Sequence, residues 1–163
     1  MVSLRSIAFL FLGIASLYGA GVFFGWSWPW AGFLWFDIVL HFFGGALGGL
    51  IFLYANRRWQ IMNGREGISG FIFTLAALLA AVALIGVLWE FVEYAFYIVM
   101  QYALNEKAPT MRVQASWYAD TLGDLLSDLL GGLVVFLLLH RKKKQLTAAD
   151  DKKEPRIGVV SHT

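Results

Sequence analysis

The stretch "SGFIFTLAALLAAVALIGVLWEFV", residues 69–92, decides what kind of protein this is. It carries a single charge, Glu90, and no proline. As an α-helix it would be about 36 Å long, against a bilayer hydrocarbon core of about 30 Å. Such a run spans a membrane. Working outward, hydropathy predicts three further spans near residues 6–26, 33–54 and 118–139, and the central run continues as helix to about residue 103. Apolar residues make up 59% of the 163-residue chain and mean hydropathy is +0.65, which leaves no separate soluble domain of useful size. The expectation is an all-α integral membrane bundle of four transmembrane helices over residues 1–144. A polar cytoplasmic tail, expected to be disordered, follows over residues 145–163.

There is no cysteine, so disulfides, thiolate ligands and a Cys nucleophile are all excluded. A pI near 9.0 comes from lysines and arginines flanking the spans rather than from a nucleic-acid surface. The first span follows one arginine, Arg5, and has small residues within it, so a signal peptide is the rival reading. Its long apolar run without a polar cleavage region favours an uncleaved helix. Between spans one and two, "WSWPWAGFLW" (residues 26–35) resembles an interfacial aromatic belt broken at Pro29. Arg57, Arg58 and Arg65 mark the second loop, and "RKKK" (141–144) follows the last span. With Arg5, the positive-inside rule places both termini and this loop in the cytoplasm, and "NEKAPTMRVQAS" (105–116) outside. The basic run 141–144 is expected to touch anionic lipid. Overlapping GxxxG spacings, Gly44–Gly48 and Gly45–Gly49, allow close helix approach and could carry a homo-oligomer; Gly131 and Gly132 offer a similar notch.

The chemistry lies in "YADTLGDLLSDLLGG", residues 118–132. Asp120, Asp124 and Asp128 are four residues apart and share one helical face, drifting about 40° per step. Span two adds Asp37 and His41, and span three adds Glu90 and Glu93. In an outward-facing arrangement all seven groups come to one depth. No Lys or Arg lies between Arg5 and Arg57, between Arg65 and Lys107, or between Arg112 and Arg141. One aspartate at a helix centre costs roughly 2.5–3.5 kcal/mol on insertion scales, and each large apolar residue returns only about 0.3–0.6. Six carboxylates this close cannot all stay ionised without a cation. Either several are protonated or a divalent metal sits among them. Singly, Asp120 or Glu93 could cap a helix or sit in headgroup water; together, ionisable groups at membrane depth point to function.

"WFDIVLHFFGG", "WEFVEY" and "DTLGDLLSDLLGG" together resemble the pattern of the VanZ-like membrane proteins, most nearly their YjdF-like branch. The matching positions are Asp37, His41, Glu90, Asp124, Asp128 and Gly131, over roughly residues 33–139. The resemblance implies a multi-pass protein of the bacterial inner membrane and supplies no reaction. Two positions depart from VanZ proper: Ile38 stands where a Lys often follows the first Asp, and Asp128 where Asn is common. Both make this cluster more acidic, which favours a metal and weakens any carry-over of glycopeptide resistance.

Three functional readings follow. In the first, His41, Glu90, Asp124, Asp128 and Asp120 hold one or two divalent ions (Mg²⁺, Mn²⁺ or Ca²⁺, with Zn²⁺ or Fe²⁺ if His41 ligates), and Glu93 or Asp37 serves as base or orients His41. The substrate would be a lipid headgroup or a lipid-linked envelope precursor, at a site rimmed by Trp26, Trp28, Trp30 and Trp35. In the second, the same groups relay protons or bind a transported cation, against which stand only four spans, no inverted repeat and apolar inner halves. In the third, the cluster is a structural metal or a protonated network in a non-catalytic membrane module. No HExxH or Glu-x-x-His pair is present to decide among them.

Overall fold

The computed structural model of the chain describes residues 2–24, 34–62, 67–104 and 111–153. These form four α-helices: α1 (Leu4–Phe23), α2 (Leu34–Trp59), α3 (Gly67–Leu104) and α4 (Met111–Lys153). Each is long and apolar enough to cross a membrane, over Leu4–Gly21, Phe36–Trp59, Gly67–Phe96 and Tyr118–Lys142. Pro29, Arg65, Lys107 and the tryptophans Trp26, Trp28 and Trp30 lie outside the described residues, and nothing is described of the side chains of Trp35, Arg112, Lys143 or Lys144.

Three boundaries differ from expectation. α2 runs to Trp59, so Arg57 and Arg58, expected in the second loop, lie in its last turn. α4 begins at Met111, so residues 111–116 of the expected outer loop are helical. It also runs on to Lys153, so residues 145–153 are helix rather than a disordered tail. The physical reason is propagation. "QLTAADDKK" contains several good helix formers, and extending an existing helix avoids the nucleation cost that a free segment would bear.

Packing is organised by glycine. α2 and α4 run parallel and close: a Cβ on Gly45 would collide with the Asp128 carbonyl, and one on Gly131 with the Phe42 carbonyl. One turn further along, a Cβ on Gly49 would stand 3.3 Å from the Gly132 Cα. Without side chains at these positions the two backbones touch, the packing that small-residue spacings permit in a bilayer. Gly48 faces Ile85 and Val82 of α3, and Gly44 faces Asp128. The α2 glycines expected to carry a homo-oligomer are thus engaged by α3 and α4 of the same chain. α3 runs antiparallel to both, with Leu78 and Val82 packed beside Gly132. Leu78, Val82 and Phe136 form the buried apolar core, against which Phe52, Leu53, Phe71, Leu75 and Leu79 pack.

Among the described residues α1 touches only α2, where the Phe36 ring lies against Gly21. The fold is therefore a three-helix core of α2, α3 and α4, with α1 appended on the far side of α2. Among the described residues no further helix packs on α3 or α4.

Candidate metal centre

The glycine seam fixes the rotation of α4 about its axis, and that rotation decides which side chains meet. Asp124, Ser127 and Asp128 turn inward and are buried, at 2%, 5% and 5% exposure, beside His41 at 5%. Ser127 Oγ donates to the Ile38 carbonyl at 2.7 Å, locking α4 to the first turns of α2. Asp128 is held in a slot walled by glycine. A Cβ on Gly44 would lie 3.6 Å from its Oδ1, and one on Gly86 only 2.5 Å from its Oδ2.

His41 is the hub. Its Nδ1 lies 3.2 Å from Asp128 Oδ2 in a buried hydrogen bond. Where the carboxylate accepts this bond, Nδ1–H donates and Nε2 is left to face the other carboxylates. Nε2 faces carboxylates on two helices: Asp37 Oδ1 at 3.9 Å, Glu90 Oε1 at 3.9 Å and Glu93 Oε2 at 4.0 Å. It is fully buried and has no hydrogen-bond partner among the described residues, and neither do Glu90 Oε1 and Asp124 Oδ1. Leaving buried polar atoms unpaired costs about 1–3 kcal/mol each.

The separations fit an intervening ion. Two donors about 2.1 Å from one metal stand about 3.4 Å apart at a tetrahedral angle and about 4.2 Å apart across it. Gaps of 3.9–4.0 Å fall in that range and are too long for direct hydrogen bonds. Two overlapping groups have donor atoms within 4.8 Å of one another: Asp37, His41 and Asp124, and His41, Glu90 and Glu93.

Five sequence-identified groups, Asp37, His41, Glu90, Glu93 and Asp124, therefore fall into two sets that share His41, and Asp128 hydrogen-bonds its Nδ1. Asp120 is set apart. It lines a cleft of about 390 Å³ between α3 and α4, together with Asp37, Glu90, Glu93 and Thr121. Sequence reasoning passed over two hydroxyls. Thr121 Oγ1 donates to Glu90 Oε2 at 2.7 Å, fixing that carboxylate from α4, and Ser127 anchors α4 as described. Their signal was position: Thr121 is three residues before Asp124 on the acidic face, and Ser127 adjoins Asp128.

The cluster occupies the end of the bundle where α2 starts, α3 ends and α4 begins. Arg57, Arg58, Arg141 and Lys142 lie at the opposite end. No curated protein and no solved structure matches the chain. Residues 2–145 match the family described as Predicted membrane protein (DUF2238). That match takes in all four spans and every residue of the cluster, and the chain belongs to this family of predicted membrane proteins.

Proposed function

We propose that this is a divalent-metal centre of the bacterial inner membrane, facing outward and acting on a lipid headgroup or lipid-linked envelope compound. One observation carries it: the buried Nε2 of His41, unpaired, with carboxylate oxygens of Asp37, Glu90 and Glu93 at 3.9–4.0 Å. A protonated network would pair such atoms with one another, whereas Nε2, Glu90 Oε1 and Asp124 Oδ1 all lack partners. In this reading His41, Asp37, Asp124, Glu90 and Glu93 supply the ligands, and Asp128 orients the imidazole, as carboxylates commonly do behind metal-binding histidines. A bound divalent ion would polarise a phosphoryl oxygen or sharpen a water nucleophile. The resemblance to VanZ-like proteins supports the envelope setting.

Elemental analysis of purified protein tests the centre. About one divalent ion per chain is expected in the wild type, and none after combining Asp124→Asn with Glu90→Gln, which removes a ligand from each group. Chelation should lower thermal stability, because an ion at 100 times its Kd contributes about 2.7 kcal/mol. A metal-free protein, indifferent to chelator and stabilised by those substitutions, would instead establish a protonated network.

The orientation follows from Arg57, Arg58 and the "RKKK" run lying opposite the cluster. A reporter fused after Lys144 should be active only if it works in the cytoplasm. Activity from a periplasmic reporter would turn the cluster inward.

A further inference from the structure

The cleft between α3 and α4 has a composition that the metal centre alone does not explain. Its polar floor is Asp37, Glu90, Glu93, Asp120 and Thr121, and its walls are Val87, Phe91 and Leu125, with Tyr94 and Tyr118 beside them. Among the described residues no cationic side chain lines it. Val87 to Tyr94 spans about 10 Å along α3, with Val87 at the deep end and Tyr94 toward the membrane surface. Among the described residues α1 packs only on α2, so it does not cover the cleft. Phe91 in its wall is 66% exposed and Tyr118 beside it 74% exposed.

Charge and shape together specify the occupant. Four carboxylates, Asp37, Glu90, Glu93 and Asp120, line the cleft. Asp120 lines the cleft but lies in neither metal-binding group. A cationic group on a molecule settling here could pair with Asp120, and the apolar wall suits a hydrocarbon chain that never leaves the bilayer. Phenols at the surface end suit a headgroup boundary.

We infer that the α3–α4 cleft admits, from the side, a membrane phospholipid with an amine-bearing headgroup of the phosphoethanolamine type. Asp120 pairs with the ammonium group, the phosphate reaches the metal centre, and the chain lies along Val87, Phe91 and Leu125. The phosphate contact rests on the metal reading; the amine and chain contacts are properties of the cleft. Asp120 is then the residue that selects the headgroup.

Native mass spectrometry of the full chain, released from dodecyl maltoside after incubation with Mn²⁺, reads metal, lipid and oligomeric state on the same ion. The probes are lysophosphatidylethanolamine, lysophosphatidylglycerol of the same chain length, and chainless glycerophosphoethanolamine. The ethanolamine lysolipid should bind at least tenfold more tightly than either of the other two. Asp120→Asn should reduce the headgroup preference to within about twofold while Mn²⁺ stays bound. Val87→Trp should weaken both lysolipids at least fivefold and leave the chainless compound unchanged. Phe91→Ala, which adds no bulk, should weaken the lysolipids in the same direction. Equal binding of the two lysolipids, or a preference that survives Asp120→Asn, overturns the headgroup assignment. Equal binding of the chainless compound overturns lateral access. A wild-type dimer that Val87→Trp converts to monomer would place a second copy of the chain in the cleft and also overturn it. Absence of Mn²⁺ with the lipid preference intact would sink the metal centre and leave the cleft assignment standing.

Discussion

Gly45→Leu is expected to leave little folded protein, with a loss of more than about 4 kcal/mol, the range reached only by severe core or backbone disruption. Overpacking usually costs about 1–3 kcal/mol because side chains can shift aside. Here the obstacle is the Asp128 carbonyl, which belongs to helix backbone and cannot rotate away. α2 and α4 would have to separate along their whole seam, breaking the contacts at Gly131 and Gly49 as well. Separation would also draw Asp128 from His41 and Ser127 from the Ile38 carbonyl, dismantling the site with the fold. Gly19→Leu is the control. A Cβ there meets nothing within 4 Å, and replacing a mid-helix glycine should be neutral or stabilising by up to about 1 kcal/mol. Helicity followed through an SDS titration, with the monodisperse yield in mild detergent, measures both. A Gly45→Leu protein as stable as wild type would mean that the seam is not what holds α2 to α4.

The reach of the sequence follows the same physics. The four spans are legible because a bilayer penalises every unpaired backbone group and every charge, so long apolar runs admit one conformation. For the same reason Asp37, His41, Glu90, Glu93, Asp120, Asp124 and Asp128 stand out against their surroundings. Their roles are not legible in this way. Whether Asp128 meets His41 depends on a rotation of α4 set by Gly45 and Gly131, and a GxxxG spacing does not say which helix it will meet. The helix over 145–153 was hidden because its residues are polar, and polarity alone does not separate an extended helix from a coil. Thr121 and Ser127 were hidden for the opposite reason. A hydroxyl in a membrane helix commonly bonds its own backbone, as Thr74 does to the Gly70 carbonyl, and so carries little signal.

Asp128→Asn is expected to weaken divalent-ion binding by about 10- to 100-fold, or about 1.4–2.7 kcal/mol, without abolishing it. The carboxylate takes the Nδ1–H of His41 at 3.2 Å, which makes Nε2 the more basic nitrogen and holds the ring facing Asp37, Glu90 and Glu93. An amide accepts more weakly and can present its NH₂ instead, which would favour the tautomer with the proton on Nε2 and remove the lone pair a metal needs. A direct ligand behaves differently from a positioning residue. If Asp128 bound the ion itself, as the acidic spacing in α4 led us to expect, its replacement would cost affinity whether or not His41 were present. If it acts through the imidazole, Asp128→Asn should have no further effect once His41 is alanine. Mn²⁺ titrations of the wild type, the two single variants and the double variant close that cycle. An interaction energy near the whole Asp128→Asn effect assigns Asp128 to orienting His41. Simple additivity assigns it to the metal, and would move the centre from the Nε2 side of the ring to the glycine-walled slot between Gly44 and Gly86.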